Sequence, residues 1–181
     1  SPGAANSLGA NKAIVIDTTA PNAATSLGWV QASPYNSTSV TASWTKSNSA
    51  DLTNQKIQFY SSGTCTTASG SLIDLSSATT QSQAFTGVNG TTYTFKITSI
   101  DAAGNSTVSA CSSSMIIDTT APTVSSVTTS TAGGTYGVPT VVNVTVNFSE
   151  SVTVVGTPTI TLNTSPARSA SYVSGSDSSA L

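Results

Sequence analysis

The feature that most constrains this chain is an internal repeat. Ile14-Val15-Ile16-Asp17-Thr18-Thr19-Ala20-Pro21 recurs as Met115-Ile116-Ile117-Asp118-Thr119-Thr120-Ala121-Pro122, and the matching aspartates are 118 − 17 = 101 residues apart. A repeat of this length corresponds to one β-sandwich domain. The sequence therefore predicts a modular chain.

The repeat divides the chain into three parts. Residues 1–17 are expected to be the last strand of a preceding repeat, and residues 18–118 one complete sandwich. Residues 119–181 are expected to be the start of a second, different domain, truncated before its remaining strands. The proline of each Asp-Thr-Thr-Ala-Pro segment favours an extended, stiff linker.

Composition favours an all-β fold. Charged residues make up 7% of the chain, and Ser and Thr make up about a third. Threonine suits strands and serine suits turns, whereas no apolar period of 3.6 residues indicates a helix. Disorder is the alternative for so Ser/Thr-rich a chain, but clear apolar alternation argues against it.

Three segments alternate between apolar and polar residues as half-buried strands do. Their inward positions are Val40, Ala42 and Trp44; Ile57 and Phe59; and Tyr93, Phe95 and Ile97. The core is expected to be closed by residues of intervening strands: Leu72, Leu75, Phe85 and Val88. Trp29 is expected to pack in the core or an interface, and the last strand is expected to run from Val108 towards Ile117.

These segments carry a resemblance. The Trp44 strand, the Gly87-Val88-Asn89-Gly90-Thr91-Thr92 turn before Tyr93, and Asp101-Ala102-Ala103-Gly104-Asn105-Ser106 resemble fibronectin type III-like modules. The flanking linkers are similar to those of bacterial immunoglobulin-like repeats in large surface adhesins. The resemblance implies tandem immunoglobulin-like β-sandwiches of an extracellular, cell-surface adhesion protein.

The last segment resembles a different bacterial immunoglobulin-like module. Val142–Glu150 ends in Phe-Ser-Glu, a second strand follows, and Gly156-Thr157-Pro158 precedes a third. Ala170–Ser176 continues the likeness.

Two cysteines, Cys65 and Cys111, fall in the same predicted domain. An even count in a Ser/Thr-rich chain favours a disulfide in an oxidising compartment over two buried thiols. In a fibronectin-type sandwich these positions belong to opposite edges of one sheet. A disulfide therefore requires the loop at Cys65 to cross back over that sheet.

Several classes of function are disfavoured. The chain has no histidine, no Cys-x-x-Cys pair and no phosphate-binding loop. We therefore assign no catalytic residues and expect no enzyme. The remaining enzymatic alternative is a glycosidase with a pair of catalytic carboxylates. The five basic residues are scattered, which argues against nucleic acid and anionic membranes. No run of about 18 apolar residues is present, so membrane insertion is not expected, and neither is a signal peptide at Ser1.

Calcium is the one metal that the sequence suggests. Asp17 and Asp118 occupy the linkers, and Asp101 begins the Asp-Ala-Ala-Gly-Asn turn. In some adhesin repeats such aspartates bind calcium between domains, and carboxylates with backbone carbonyls supply the ligands it prefers. The alternative is that these aspartates only cap turns. A cross-link from Lys96 is disfavoured because alternation turns it towards solvent.

The sequence predicts a non-catalytic stalk or spacer that projects a distant binding region. Its partners are then neighbouring immunoglobulin-like domains of the same chain. One alternative is an adhesive module that recognises a cell-surface glycan or protein through loops such as Ser61–Ser71 and Thr131–Gly137. The other is an accessory domain of a secreted hydrolase.

Overall fold

A computed structural model describes residues 15–137 and 139–181. They form strands, turns and loops without a helix, so none of them belongs to a helix able to span a membrane. The chain forms two compact units, residues 1–119 and 120–181. Expectations that fall on residues 1–14, including most of the strand predicted at 1–17, lie outside the described residues.

Unit 1 is built from two antiparallel sheets. Its strands are β1 (Thr25–Trp29), β2 (Ser39–Thr45), β3 (Leu52–Tyr60), β4 (Ala68–Asp74), β5 (Ser82–Thr86), β6 (Thr92–Asp101), β7 (Ser106–Val108) and β8 (Met115–Ile116). One sheet has the order β1-β2-β5, and the other has the order β4-β3-β6-β7, with β8 also paired to β6. The apolar faces of the two sheets pack on each other, which makes unit 1 a β-sandwich.

The predicted inward positions form the core. All eight are at most 4% exposed: Val40, Ala42, Trp44, Ile57, Phe59, Tyr93, Phe95 and Ile97. Trp29 packs in the same core, with its ring centre 5.4 Å from that of Phe95 and 6.1 Å from that of Phe59. Alternation along the central strands was therefore sufficient to find most of the core.

Two expected core residues lie at the surface instead. Leu72 is 49% exposed and Val88 is 64% exposed, whereas Leu75 and Phe85 do pack against the core. Leu72 belongs to β4, which lies at a sheet edge and, among the described strands, pairs with β3 alone. Val88 lies in the turn before β6. An edge strand and a turn leave apolar side chains in solvent because nothing packs over them.

The expected last strand is interrupted between β7 and β8. In the interruption, the Ser109 and Ser112 hydroxyls accept hydrogen bonds from the N–H groups of Ile97 (3.0 Å) and Phe95 (2.9 Å). The serine N–H groups donate to the carbonyls of the same two residues. The two hydroxyls accept the hydrogen bonds that the carbonyls of a continuous neighbouring strand would accept. The backbone of β6 therefore stays hydrogen-bonded where that neighbouring strand is interrupted.

The predicted disulfide is present. Cys65 and Cys111 are bonded, with their Cα atoms 5.9 Å apart. The loop after β3 crosses over β6 to reach Cys111: the Thr94 hydroxyl donates to the Ser62 carbonyl at 2.8 Å and accepts from the Cys65 N–H at 3.2 Å. The Thr94 side chain is fully buried, and these two hydrogen bonds satisfy its hydroxyl and fix the crossing.

Unit 2 contains five shorter strands: β9 (Val124–Thr128), β10 (Thr145–Val152), β11 (Thr159–Leu162), β12 (Arg168–Ser171) and β13 (Ser178–Ala180). One sheet has the order β13-β10-β9, and β11 and β12 form a separate two-stranded ribbon. Apolar side chains remain open to solvent, including Val155 at 91% and Val173 at 87% exposure.

Candidate functional site

Three carboxylates meet at one end of unit 1, which we call the N-terminal pole. Asp101 ends β6, Asp51 immediately precedes β3, and Asp17 lies in the first linker. Carboxylate oxygens of the three residues lie within 4.8 Å of one another. The pairing of β3 with β6 places Leu52 opposite Asp101, so Asp51 and Asp101 are neighbours by register.

Asp101 is held by the turn that follows it. Its Oδ1 accepts hydrogen bonds from the N–H groups of Ala103 (2.9 Å) and Asn105 (2.8 Å), and its Oδ2 accepts from the Asn105 side chain (3.0 Å). Burial alone would raise the pKa of Asp101, but these bonds from Asn105, Ala103 and Gly104 together lower it below the ordinary value. Asp101 is therefore a buried, ionised carboxylate at neutral pH.

Asn105 joins this turn to the first linker. Its side-chain amide donates to the Asp17 carbonyl at 3.1 Å and to the Thr19 carbonyl at 3.5 Å, as well as to Asp101. The Asp17 side chain in turn accepts from the Thr19 N–H at 2.9 Å. Three oxygen atoms thus converge on one amide nitrogen, which fixes where the linker leaves the sandwich.

The chemistry of this cluster suits a hard cation. Calcium binds oxygen at about 2.3–2.6 Å, so oxygens on opposite sides of the ion lie roughly 5 Å apart, in agreement with the 4.8 Å cluster. Within residues 15–137 and 139–181, the one ion pair joins Lys56 to Asp74 at 3.6 Å, and no base pairs with the three aspartates. Both the turn-capping bonds and the metal-compatible spacing are present together.

The structure brings together two of the three aspartates that the sequence suggests as calcium ligands. Asp17 and Asp101 do come together, but Asp118 lies at the opposite end of unit 1, where its N–H donates to the Tyr35 carbonyl at 3.0 Å. Asp51 takes the third place, and sequence reasoning missed it because nothing local marks the residue before β3. The β3–β6 register, once known, is the signal that identifies it.

The second linker leaves unit 1 at what we call the C-terminal pole. There Ile117 donates to the Thr91 carbonyl at 3.1 Å, and the Thr119 N–H donates to Asn89 Oδ1 at 2.7 Å. These contacts lie beside Thr92, the first residue of β6, whereas the N-terminal pole lies beside Asp101, its last residue. Ten residues of strand separate the two, a distance of about 30 Å.

Comparison with known proteins does not add to this geometry: no protein-family model and no curated protein matches the chain.

Proposed function

We propose that this chain is a non-catalytic spacer of an extracellular surface protein, made of fibronectin type III-like and bacterial immunoglobulin-like repeats. The observation that carries the proposal is the position of the two linkers at opposite poles of unit 1. A module that the chain enters at one end and leaves at the other adds its full length to a row of modules. The 101-residue repeat of the linker supports such a row.

Further features support the proposal. The sandwich of a three-stranded and a larger sheet agrees with the resemblance to fibronectin type III-like modules. The disulfide indicates an oxidising environment, as outside the cell. The loop after β3 is fixed by Cys65 and by Thr94, which favours a rigid module over an adaptable binding loop.

Binding experiments separate the spacer from the adhesive alternative. The labelled chain is applied to intact target cells and to a broad glycan panel, with its fold checked by tryptophan fluorescence. A spacer gives no saturable signal, and exchanging residues 18–118 in the parent protein for an unrelated rigid sandwich of equal length preserves adhesion. Saturable binding that unlabelled chain competes away would reject the spacer and support the adhesive module.

Calcium binding at the Asp17, Asp51 and Asp101 cluster stays a prediction. When bound, the ion would neutralise the three carboxylates and hold the first linker against the β6 turn. The expected result is a rise in the melting temperature of the wild-type chain with calcium, reversed by a chelator and absent in Asp51→Asn. Asp118→Asn is the matched control, because it removes a linker aspartate that lies outside the cluster. An unchanged wild-type melting temperature would leave turn capping as the role of Asp17 and Asp101.

A further inference from the structure

The turn that precedes β6 contains the one Asn-Gly pair of the chain, Asn89-Gly90. Both residues are exposed. The Thr91 N–H donates to the Val88 carbonyl at 3.2 Å and closes the turn. Gly90 has a φ of 75°, which favours glycine over residues that carry a Cβ. The turn therefore places a residue without a side chain directly after an exposed asparagine.

An asparagine followed by glycine loses its side-chain amide without a catalyst. The Gly90 nitrogen gives its proton to a base from solvent and attacks Cγ of Asn89. A nitrogen–carbon bond forms, the bond from Cγ to the amide nitrogen breaks, and ammonia leaves with a proton returned from solvent. Water then opens the succinimide ring at either carbonyl and leaves aspartate or isoaspartate at position 89. The ring closure is intramolecular, and the whole reaction consumes only water.

The surroundings of Gly90 leave room for this ring. A Cβ built on Gly90 would meet no described atom within 4 Å. The missing side chain also lets the nitrogen approach Cγ of Asn89 closely. Asn36 and Asn105 are each followed by a serine, whose side chain hinders the same approach. Asn89 is therefore the asparagine of this chain best placed to react.

The second linker restrains both reacting groups while it is docked. The Gly90 N–H donates to the Ile117 carbonyl at 2.8 Å, so the proton that must leave is held in a hydrogen bond. Asn89 Oδ1 accepts from the Thr119 N–H at 2.7 Å, which holds the side-chain amide against the linker. Ile117 is fully buried and its N–H donates to the Thr91 carbonyl. Both restraints are therefore released together when residues 117–119 detach from the pole.

We propose that Asn89 is a site of spontaneous deamidation and that the docked second linker holds the reaction back. Two hydrogen bonds at the reacting groups favour the docked state by a factor of roughly 5–150. The folded chain is therefore expected to react more slowly than the denatured chain by a factor of that size. Isoaspartate adds a methylene to the main chain, which displaces Gly90 from the Ile117 carbonyl. The reaction thus makes a transient opening of the C-terminal pole permanent.

Peptide mapping by mass spectrometry tests the site. The full chain is kept in a mildly alkaline buffer, either folded or denatured in guanidinium chloride. In the denatured chain Asn89 is modified before the other asparagines, and in the folded chain it reacts more slowly by the expected factor. Gly90→Ala slows the denatured reaction, because its Cβ hinders the attacking nitrogen. Earlier modification of another asparagine in the denatured chain overturns the proposal, and so do equal rates in the two states.

Proline variants test the role of the linker. Thr119→Pro removes the N–H that donates to Asn89, and the folded chain should then react roughly 2–10 times faster. Thr18→Pro is the matched control, because it changes the equivalent residue of the first linker. Tryptophan fluorescence shows whether unit 1 of each variant is folded. An unchanged rate in folded Thr119→Pro, or an equal gain in Thr18→Pro, overturns the restraint by the second linker.

Hydrogen exchange of the wild-type chain gives a test that does not depend on how a variant folds. The Gly90 amide exchanges when its bond to the Ile117 carbonyl opens, and deamidation requires the same opening. The protection factor of this amide should therefore match the ratio of the denatured to the folded deamidation rate. A folded rate well above the one that this protection allows would show that Asn89 reacts with the linker docked, and would overturn the proposal.

Discussion

Reduction of the disulfide between Cys65 and Cys111 is expected to destabilise unit 1 strongly. The two cysteines are 46 residues apart, and closing a loop of that length removes chain entropy from the unfolded state. The chain-entropy relation gives about 4 kcal/mol at 25 °C for this loop. The loss is large against the 5–15 kcal/mol that is typical of a whole domain.

Urea unfolding of the oxidised and reduced proteins measures this difference. Both tryptophans, Trp29 and Trp44, lie in the core of unit 1, so their fluorescence reports that unit and not unit 2. The reduced protein should unfold at lower urea, with a steeper dependence on denaturant because its unfolded state is less compact. The Cys65→Ala/Cys111→Ala double variant should behave like the reduced protein. Identical midpoints for the oxidised and reduced proteins would refute the argument.

Three further predictions concern unit 1. Gln55→Leu removes the oxygen that accepts from the buried Trp44 Nε1–H at 2.9 Å and the amide that donates to the Ser77 and Thr80 carbonyls. The free energy of unfolding, measured in urea, is expected to fall by roughly 1–3 kcal/mol. Gly87→Ala places a Cβ 2.7 Å from a ring carbon of Tyr93 and should lower the free energy of unfolding by about 1–3 kcal/mol. Gly63→Ala, whose Cβ would meet only a side-chain carbon of Thr92 at 3.9 Å, should cause no comparable loss. The lowered pKa of Asp101 stabilises the fold above the ordinary carboxylate pKa of about 3.9, and this stability is lost as the pH falls through the folded-state value. Asp101→Asn should therefore flatten the acid limb of a plot of stability against pH, and an unchanged limb would contradict the assignment.

The central strands were predictable from sequence because both sheets bury one face. The alternation of apolar and polar residues along β2, β3 and β6 identifies the buried face directly. Val40, Phe59 and Phe95 could therefore be assigned to the core from the sequence. Leu72 was assigned wrongly because hydrophobicity does not tell an edge strand from a central one. That distinction depends on which strands pair, and pairing is a property of the whole fold.

The candidate site was only half predictable for the same reason. The repeat predicts equivalent roles for Asp17 and Asp118 because both begin an Asp-Thr-Thr-Ala-Pro segment. The two residues nevertheless lie at opposite ends of unit 1. Asp51 has no such context and joins Asp101 through the register of β3 with β6. The Ser109 and Ser112 hydroxyls were also missed, because a serine that replaces a strand carbonyl looks like any turn serine in the sequence.

The disulfide also determines how far unit 1 lengthens under tension. A pull on the two linkers acts between Asp17 and Asp118, which enclose 118 − 17 = 101 residues. Cys65 and Cys111 hold 46 of these in a closed loop, so 101 − 46 = 55 residues extend when the oxidised unit unfolds. At about 3.5 Å a residue, that is roughly 190 Å of contour in place of some 350 Å. The disulfide therefore limits the extra contour length that a stretched chain gains when one module unfolds.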